Sequence, residues 1–577
     1  MVAAPTAYVS DLMGRFAARR ADARGRQHLH KIAGKATFQG LNYRPAGGAF
    51  GDFNAARAAL DGTLALGGLR MKLTGLTPWE LEMPSHQAVA ALHGFAWLDD
   101  FVALSGRAAR GRAQAWALGW LDRYGDGAGP GWTGSIAGKR FLALLGHLSF
   151  LEEGMEPEAQ TRLNATLPVH MAYLVAQWAD TPGAAGRLTA LSAALHGAVY
   201  LTGHERAVPA LMKGVQDVAA SALTQAGGLP SRNPEALLDL FRTALMLRAL
   251  LAATERQLPA GLETLIADAA PTLRLLRTAD GGLARFHGGG AGPEGELDRA
   301  LAESRVRTRP GTKPAMGYVR LTGGRAYAIV DVGRPAEDAE RAHASTLAFE
   351  MGSGRCPVFV NCGPQMLHLP DWRRAPRLTP AHSTLALDKV SSSRLPPARQ
   401  AGRPGRDGLL TRPSMVTLAR SEDETGMWIQ ARHDGYLEDY GLLHERRLFI
   451  GRAGDEIQGE DVLLAPDAKA QKRFHNRTSG MSRLGVGLSV HFHLHPDVAP
   501  ALDRSSETLR LTLSSGEIWA FQQAGGEMDL ESSVYLERTA PAPVPTRQIV
   551  IRSRTTTHAA EIRWSLTRVQ RARRMTD

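Results

Sequence analysis

Part-way along this 577-residue chain the apolar residues change their spacing, and that change limits the fold more than any other feature. From about Phe53 to Leu276 they recur at three and four, as in Val89, Leu92, Phe95, Ala96 and in Leu237, Leu240, Phe241, Leu245, Leu247, which is one face of a helix. Beyond Pro314 they alternate. Tyr318 to Leu321, a Gly323-Gly324 turn and Ala326 to Val330 read as a hairpin. A single hydrophobic core stops growing near roughly 250–300 residues, so the chain needs at least two.

Gly and Pro clusters at Gly125–Gly131, Thr181–Gly186 and Gly227–Pro230 break the first half at intervals that suit helical hairpins. A stretch rich in Gly, Arg and Glu between Asp280 and Pro314, including Gly288 to Gly290, suits a linker or a loop lying between two domains, and places domains at 1–305 and 306–577. Further strands are expected at Thr346–Met351, Val358–Val360, Ser383–Leu387, Leu443–Ile450, Leu488–Leu494, Leu509–Leu513 and Ile549–Arg552, with no helices between them. Many short strands in succession imply an antiparallel sandwich, so the fold class is multidomain α + β.

A composition 44% apolar and 22% charged belongs to a chain that folds. The net charge of +11 comes from 9 Lys and 59 Arg against 57 acids. The arginines are scattered rather than striped, so no nucleic-acid partner is expected. Cys356 and Cys362 lack the spacing of a zinc finger or a disulfide framework. The longest apolar runs fall short of the roughly 18–20 residues that cross a bilayer, so no transmembrane segment is expected. No apolar core or cleavage site follows the amphipathic stretch Tyr8 to Arg20, which favours the cytoplasm.

The densest polar pattern is His343-Ala-Ser-Thr-Leu-Ala-Phe-Glu350, then Pro357 to Gly363 with Asn361, then Thr379-Pro-Ala-His382-Ser-Thr-Leu-Ala-Leu387. Two histidines and an asparagine at neighbouring strand ends can converge. They then form either a metal site able to polarise a carboxylate or a set of hydrogen-bonded turn residues.

These segments resemble the heparinase II/III family, whose pattern reads His-Ala-Asp-x-Leu-x-Phe-Glu, then Asp-Pro-Gly, then Ala-His-Asn-Thr. The segment Gln225 to Leu240 is similar to the family's Gly-Gly-x-x-x-Arg-Ser-Pro-x-Tyr, and Leu92 to Leu98 and Trp132 to Phe150 resemble bacterial members of unassigned substrate. The likeness runs from about Pro78 to Arg568. It implies an incomplete α/α toroid followed by an antiparallel β-sandwich, with an acidic, uronate-containing polysaccharide bound in the cleft between them and cleaved by β-elimination. It also implies the cell envelope or periplasm, where family members meet polymers.

By the same resemblance His343, Asn361 and His382 fall on metal-site positions, with Asn361 in place of an aspartate, and zinc is the implied ion. The family's catalytic histidine corresponds to Arg341 and its tyrosine to Ala236. Neither transfers a proton near neutral pH, since alanine has none and guanidinium does not deprotonate. His433, Tyr436 and Tyr440 are the expected substitute acid and base, with Arg341 able to pair with a uronate carboxylate, although His433-Asp-Gly-Tyr436 also reads as a turn with its aromatic packed on the sandwich. Arg232 keeps its motif position and is expected, with Asn233 and Trp132, to bind substrate.

His491-Phe-His-Leu-His495 puts three imidazoles on one strand face, but residues two apart splay, so an ordinary strand face is preferred to a metal. The tryptophans at 79, 97, 116, 120 and 132 read first as helical core, with Trp132 and Tyr124 as the exceptions that can stack on sugar. Three functions follow: a lyase, a binding or structural protein that has lost the chemistry, and a glycoside hydrolase, which would need two paired carboxylates.

Overall fold

The structure is a computed structural model. It describes residues 20, 22–32, 34, 36–43, 51–66, 68–75, 77–224, 226–335, 341–366, 368–388, 390–397, 408–479, 485–503, 507–537 and 540–571. Apart from Arg20, the amphipathic N-terminal stretch lies outside these residues, as does Gln225.

The chain forms two compact units, Met1–Ala222 with Arg242–Leu265, and Leu223–Phe241 with Ile266–Asp577. A cut at 305 follows the change in secondary structure. The second compact unit instead draws on both sides of it, because residues 223–241 bond to the sheet-rich part, as when Met316 N–H donates to the Ala226 carbonyl.

The first unit is built of helices, as the spacing predicts. Asp52 caps Phe53–Leu60 by accepting from the Asn54 and Ala55 amides, and Ser85 caps His86–His93 through Ala88 N. Ala184–Tyr200 is buried from Ala190 through Val199 without a break, so its Ala and Gly are what allow close neighbours. A Cβ on Gly197 would sit 3.0 Å from Phe141 and Met171, and one on Gly138 3.2 Å from the Thr189 carbonyl, which fixes how Gly134–Gly146 and Pro157–Gln177 pack on it. Trp97, Trp116 and Trp120 are fully buried core residues.

The second unit is a sandwich of two antiparallel sheets. In spatial order the first sheet runs Ala499–Asp503, Thr508–Thr512, Ile518–Ala524, Ala559–Gln570, Glu456–Leu464, Leu442–Gly451, Gly426–Tyr436 and Val416–Glu422. The other runs Glu527–Tyr535, Val544–Thr555, Val486–Leu494, Cys356–Val360, Phe349–Ser353, Ala326–Asp331 and Tyr318–Gly323, with Leu385–Leu387 added beside Val486–Leu494. Inward residues of both meet in an aromatic core. Phe349 stacks on Trp564 at 5.6 Å and Phe492 meets the same indole edge-on at 4.9 Å.

Two sequence expectations change here. The strands are not free of helices, because Asp467 caps Ala468–Thr478 through Ala470 N at 2.8 Å. Nor is the glycine-rich stretch after Asp280 a linker. Residues 283–290 are buried and Glu296–Ser304 is helical, since glycine lets backbone run where a side chain would collide. A Cβ on Gly289 would lie 2.8 Å from Asn233 Oδ1.

Candidate functional site

Arg232, Asn233, His343, Asn361 and His382 gather in the second unit around that buried glycine loop. Asn233 caps the helix Pro234–Ala253, its Oδ1 accepting from Ala236 N at 3.0 Å, while its Nδ2 donates to the His287 carbonyl at 3.0 Å. Its carboxamide is therefore a brace between helix and loop rather than a substrate ligand.

Arg232, in the left-handed region at φ 56°, turns its guanidinium inward. It donates to Asp331 Oδ1 at 2.5 Å and to the carbonyls of Met316, Gly317 and Gly333, each at 3.0 Å. All its donors face the protein, so the carboxylate it binds is Asp331 and not a uronate. Asp331 is fully buried and also accepts from Ser345 Oγ at 2.8 Å. Burial alone would raise its carboxyl, but Arg232 and His287 pull it down to about 2.

His287 completes this cluster. Its Nδ1 accepts the His343 backbone N–H at 3.1 Å, and its Nε2 lies 3.1 Å from Arg232 Nη1 and 3.4 Å from Asp331 Oδ2. Sequence reasoning missed both His287 and Asp331. The signals available were a histidine directly before three glycines and a carboxylate ending a predicted strand.

His343 and His382 do meet. Their rings lie 5.2 Å apart and both side chains are buried. Neither ring nitrogen of His382 has a hydrogen-bond partner among the described residues. Burial, then the neighbouring His493 and His287, lowers its pKa to about 3, so it is a neutral imidazole at neutral pH.

Asn361 is the third member of the expected metal set, and its carboxamide is already engaged. Oδ1 accepts from Ser383 N at 3.2 Å and Nδ2 donates to the Arg285 carbonyl at 3.1 Å. The donor set is thus two histidine rings and a committed amide, with no anionic ligand among the three, and it does not fit zinc. Among the described residues no three His, Cys, Asp or Glu form a group that could hold a metal ion.

The substitute acid and base lie elsewhere, inside the sandwich. His433 is on Gly426–Tyr436, a strand rather than the turn that was the alternative. Its Nδ1 accepts from Gly435 N at 3.0 Å, and its Nε2 faces His444 Nδ1 at 3.2 Å. His444 in turn reaches Asp461 at 2.8 Å, which also holds Arg446 at 2.8 Å. Tyr436 donates to the Leu385 carbonyl at 3.0 Å, and burial pushes its hydroxyl up. Both side chains are fully buried with internal partners, so neither is placed to exchange a proton with a ligand.

Arg341 is exposed, and its Cβ would meet a Cβ on Gly288 at 3.1 Å, which sets it at the loop's edge. Trp132 belongs to the first unit. Half-buried, it donates from Nε1 to the Tyr124 carbonyl at 2.7 Å and stacks on His170 at 4.9 Å, over the buried Arg140. His491 bonds to Gln548, and His493 to Ser533 and the Pro380 carbonyl, so the strand histidines serve the sandwich.

The helical unit and the two-sheet sandwich are the toroid and the antiparallel sandwich of the expected fold class. Residues 306–565 match the family model described as heparinase II/III-like, C-terminal, so the sandwich half of the chain is a heparinase II/III-like domain. It is 28% identical over 546 residues to FtsZ-localized protein C of Caulobacter vibrioides, covering 92% of this chain and 91% of that one. Among solved structures it resembles heparinase III with a TM-score of 0.70, at 12% identity over 97% of this chain and 91% of that one. A heparan sulfate lyase from Pedobacter heparinus matches with a TM-score of 0.53, at 12% identity over 90% and 83%. At these identities the solved structures speak for the fold. No helix among the described residues is long and apolar enough to cross a membrane.

Proposed function

We propose that this protein binds a glycan without cleaving it, keeping the heparinase II/III architecture and having given up β-elimination. Elimination needs a base for the proton α to the carboxylate and an acid for the departing oxygen. The observation that carries the reading is the commitment of His433 and Tyr436 to internal partners, while the family's histidine and tyrosine positions hold Arg341 and Ala236. Neutralising a uronate carboxylate is a third requirement, and Arg232 already serves Asp331.

The relative named for its localisation with FtsZ supports a place of work where FtsZ gathers, on the same side of the envelope. A fluorescent fusion of the full chain is expected to concentrate with FtsZ, and cell fractionation to place both together. Diffuse signal throughout the cell would remove that part of the reading. A panel of uronate polymers and neutral glycans tests the rest: retention of the protein without ultraviolet-absorbing unsaturated products supports it, and products with that absorbance restore the lyase.

A further inference from the structure

The outer face of the sandwich's first sheet carries a groove of about 450 Å³ whose floor is laid out in register across five strands. Trp428 pairs with Phe449, Phe449 with Gln458, Gln458 with Ser565, and Ser565 with Gln522. Side chains alternate along a strand, and partners in register share a face, so these five form one transverse row. With strands about 4.8 Å apart, the row spans roughly 19 Å.

One end of the row is an aromatic platform. Trp428 lies over Phe449 with ring centroids 4.1 Å apart, yet stays 39% exposed, which is unusual for so large an apolar surface. The rest is amide and hydroxyl, groups that both donate and accept.

The neighbouring rows hold charge in balance. Arg447 bonds Glu460 at 2.6 Å and Glu445 at 2.7 Å, and Arg563 bonds Glu460 at 3.0 Å and also pairs with Glu561. Arg432 pairs with Glu445. Three arginines meet three glutamates, so the face has no surplus charge to draw in an anion.

A flat aromatic face followed by paired donors and acceptors, at zero net charge, is the complement of a chain of neutral sugar rings. Each ring offers an apolar C–H face to an indole and hydroxyls to amides. We infer that this groove is a binding site for a neutral hexopyranose glycan chain, seated on Trp428 and running across the strands toward Gln522. The inference rests on the reading that the protein binds glycan, and assigns that binding to this face.

Calorimetry on the full chain tests it, with cellohexaose and the N-acetylglucosamine hexamer as neutral probes and a heparin hexasaccharide as the charged one. At least one neutral hexamer is expected to bind with an affinity insensitive to salt. Trp428→Ala is expected to weaken it about tenfold or more, which corresponds to about 1.4 kcal/mol. Gln522→Ala, at the far end of the row, serves as a second variant and should weaken binding less. Lys213→Ala, on an exposed helix face of the helical unit, should leave it unchanged. Neutral binding indifferent to both groove variants would overturn the groove while leaving glycan binding intact. Binding of the heparin fragment alone, abolished by salt, would also overturn the groove. No binding of any probe would remove both the groove and the wider reading.

Discussion

Replacing Asp331 by Asn should unfasten the centre of the candidate site. Asp331 and Arg232 are 0% and 8% exposed in their side chains, and the carboxylate is also the partner of Ser345 and His287. Removing one member of a buried pair leaves the other charge unmet, at a cost of about 3–5 kcal/mol. Amide exchange in strands Ala326–Asp331 and Phe349–Ser353 reads that loss locally, and protection should fall by roughly two to three and a half decades. The double variant Arg232→Met with Asp331→Leu, which removes both charges, should lose much less than either single change. The carboxyl is depressed to about 2, below its ordinary value. Its contribution is therefore complete above pH ~4 and lost as pH falls through 2. Protection within tenfold of wild type in Asp331→Asn, or a double variant as damaged as the singles together, would refute the coupling.

Acid should act earlier through histidines that are buried neutral. Burial, aided in the first two by Arg140, lowers His93 to about 4 and His170 to about 3, and burial lowers His196 to about 4 and His382 to about 3. Between pH 6.5 and 4 the unfolded chain binds protons that the folded chain refuses, so a urea midpoint should be flat above 6.5 and fall below it. Each such histidine adds up to about 1.4 kcal/mol per pH unit, and a midpoint unchanged down to pH 4.5 would contradict these assignments. Asn233→Ala loses a cap and a brace and should cost about 1–2 kcal/mol by denaturant unfolding, with no cost counting against the bracing role. Zinc added to the purified protein should leave its thermal midpoint unchanged, because Asn361 is committed to Ser383 and Arg285, and a rise of several degrees would restore the metal site.

The two periodicities located both cores, and the hairpin Tyr318–Gly323 with Ala326–Asp331 pairs Gly323 with Ala326 as its turn implies. Helix Ala468–Thr478 escaped notice because it buries only Ala470 and Phe474 and is otherwise charged, leaving too little apolar pattern to see. The meeting of His343 with His382 was legible through the family motif. The destinations of Arg232 and His433 were not, since a motif position says which residue stands there and not which side of the backbone it faces. Arg232 finds Asp331 99 residues away, and His433 finds a histidine on the next strand. The partner of His433 is fixed by sheet register and that of Arg232 by the approach of a turn before a helix to a strand end, neither of which a single sequence displays.

Single-turnover absorbance is the most direct test of whether the chemistry has gone. With protein in excess over heparan sulfate, near neutral pH, no rise from unsaturated uronate should appear over hours, while the polymer still sediments or elutes with any glycan the protein retains. A rise that scales with protein and disappears in His382→Ala would show a working lyase and contradict the account.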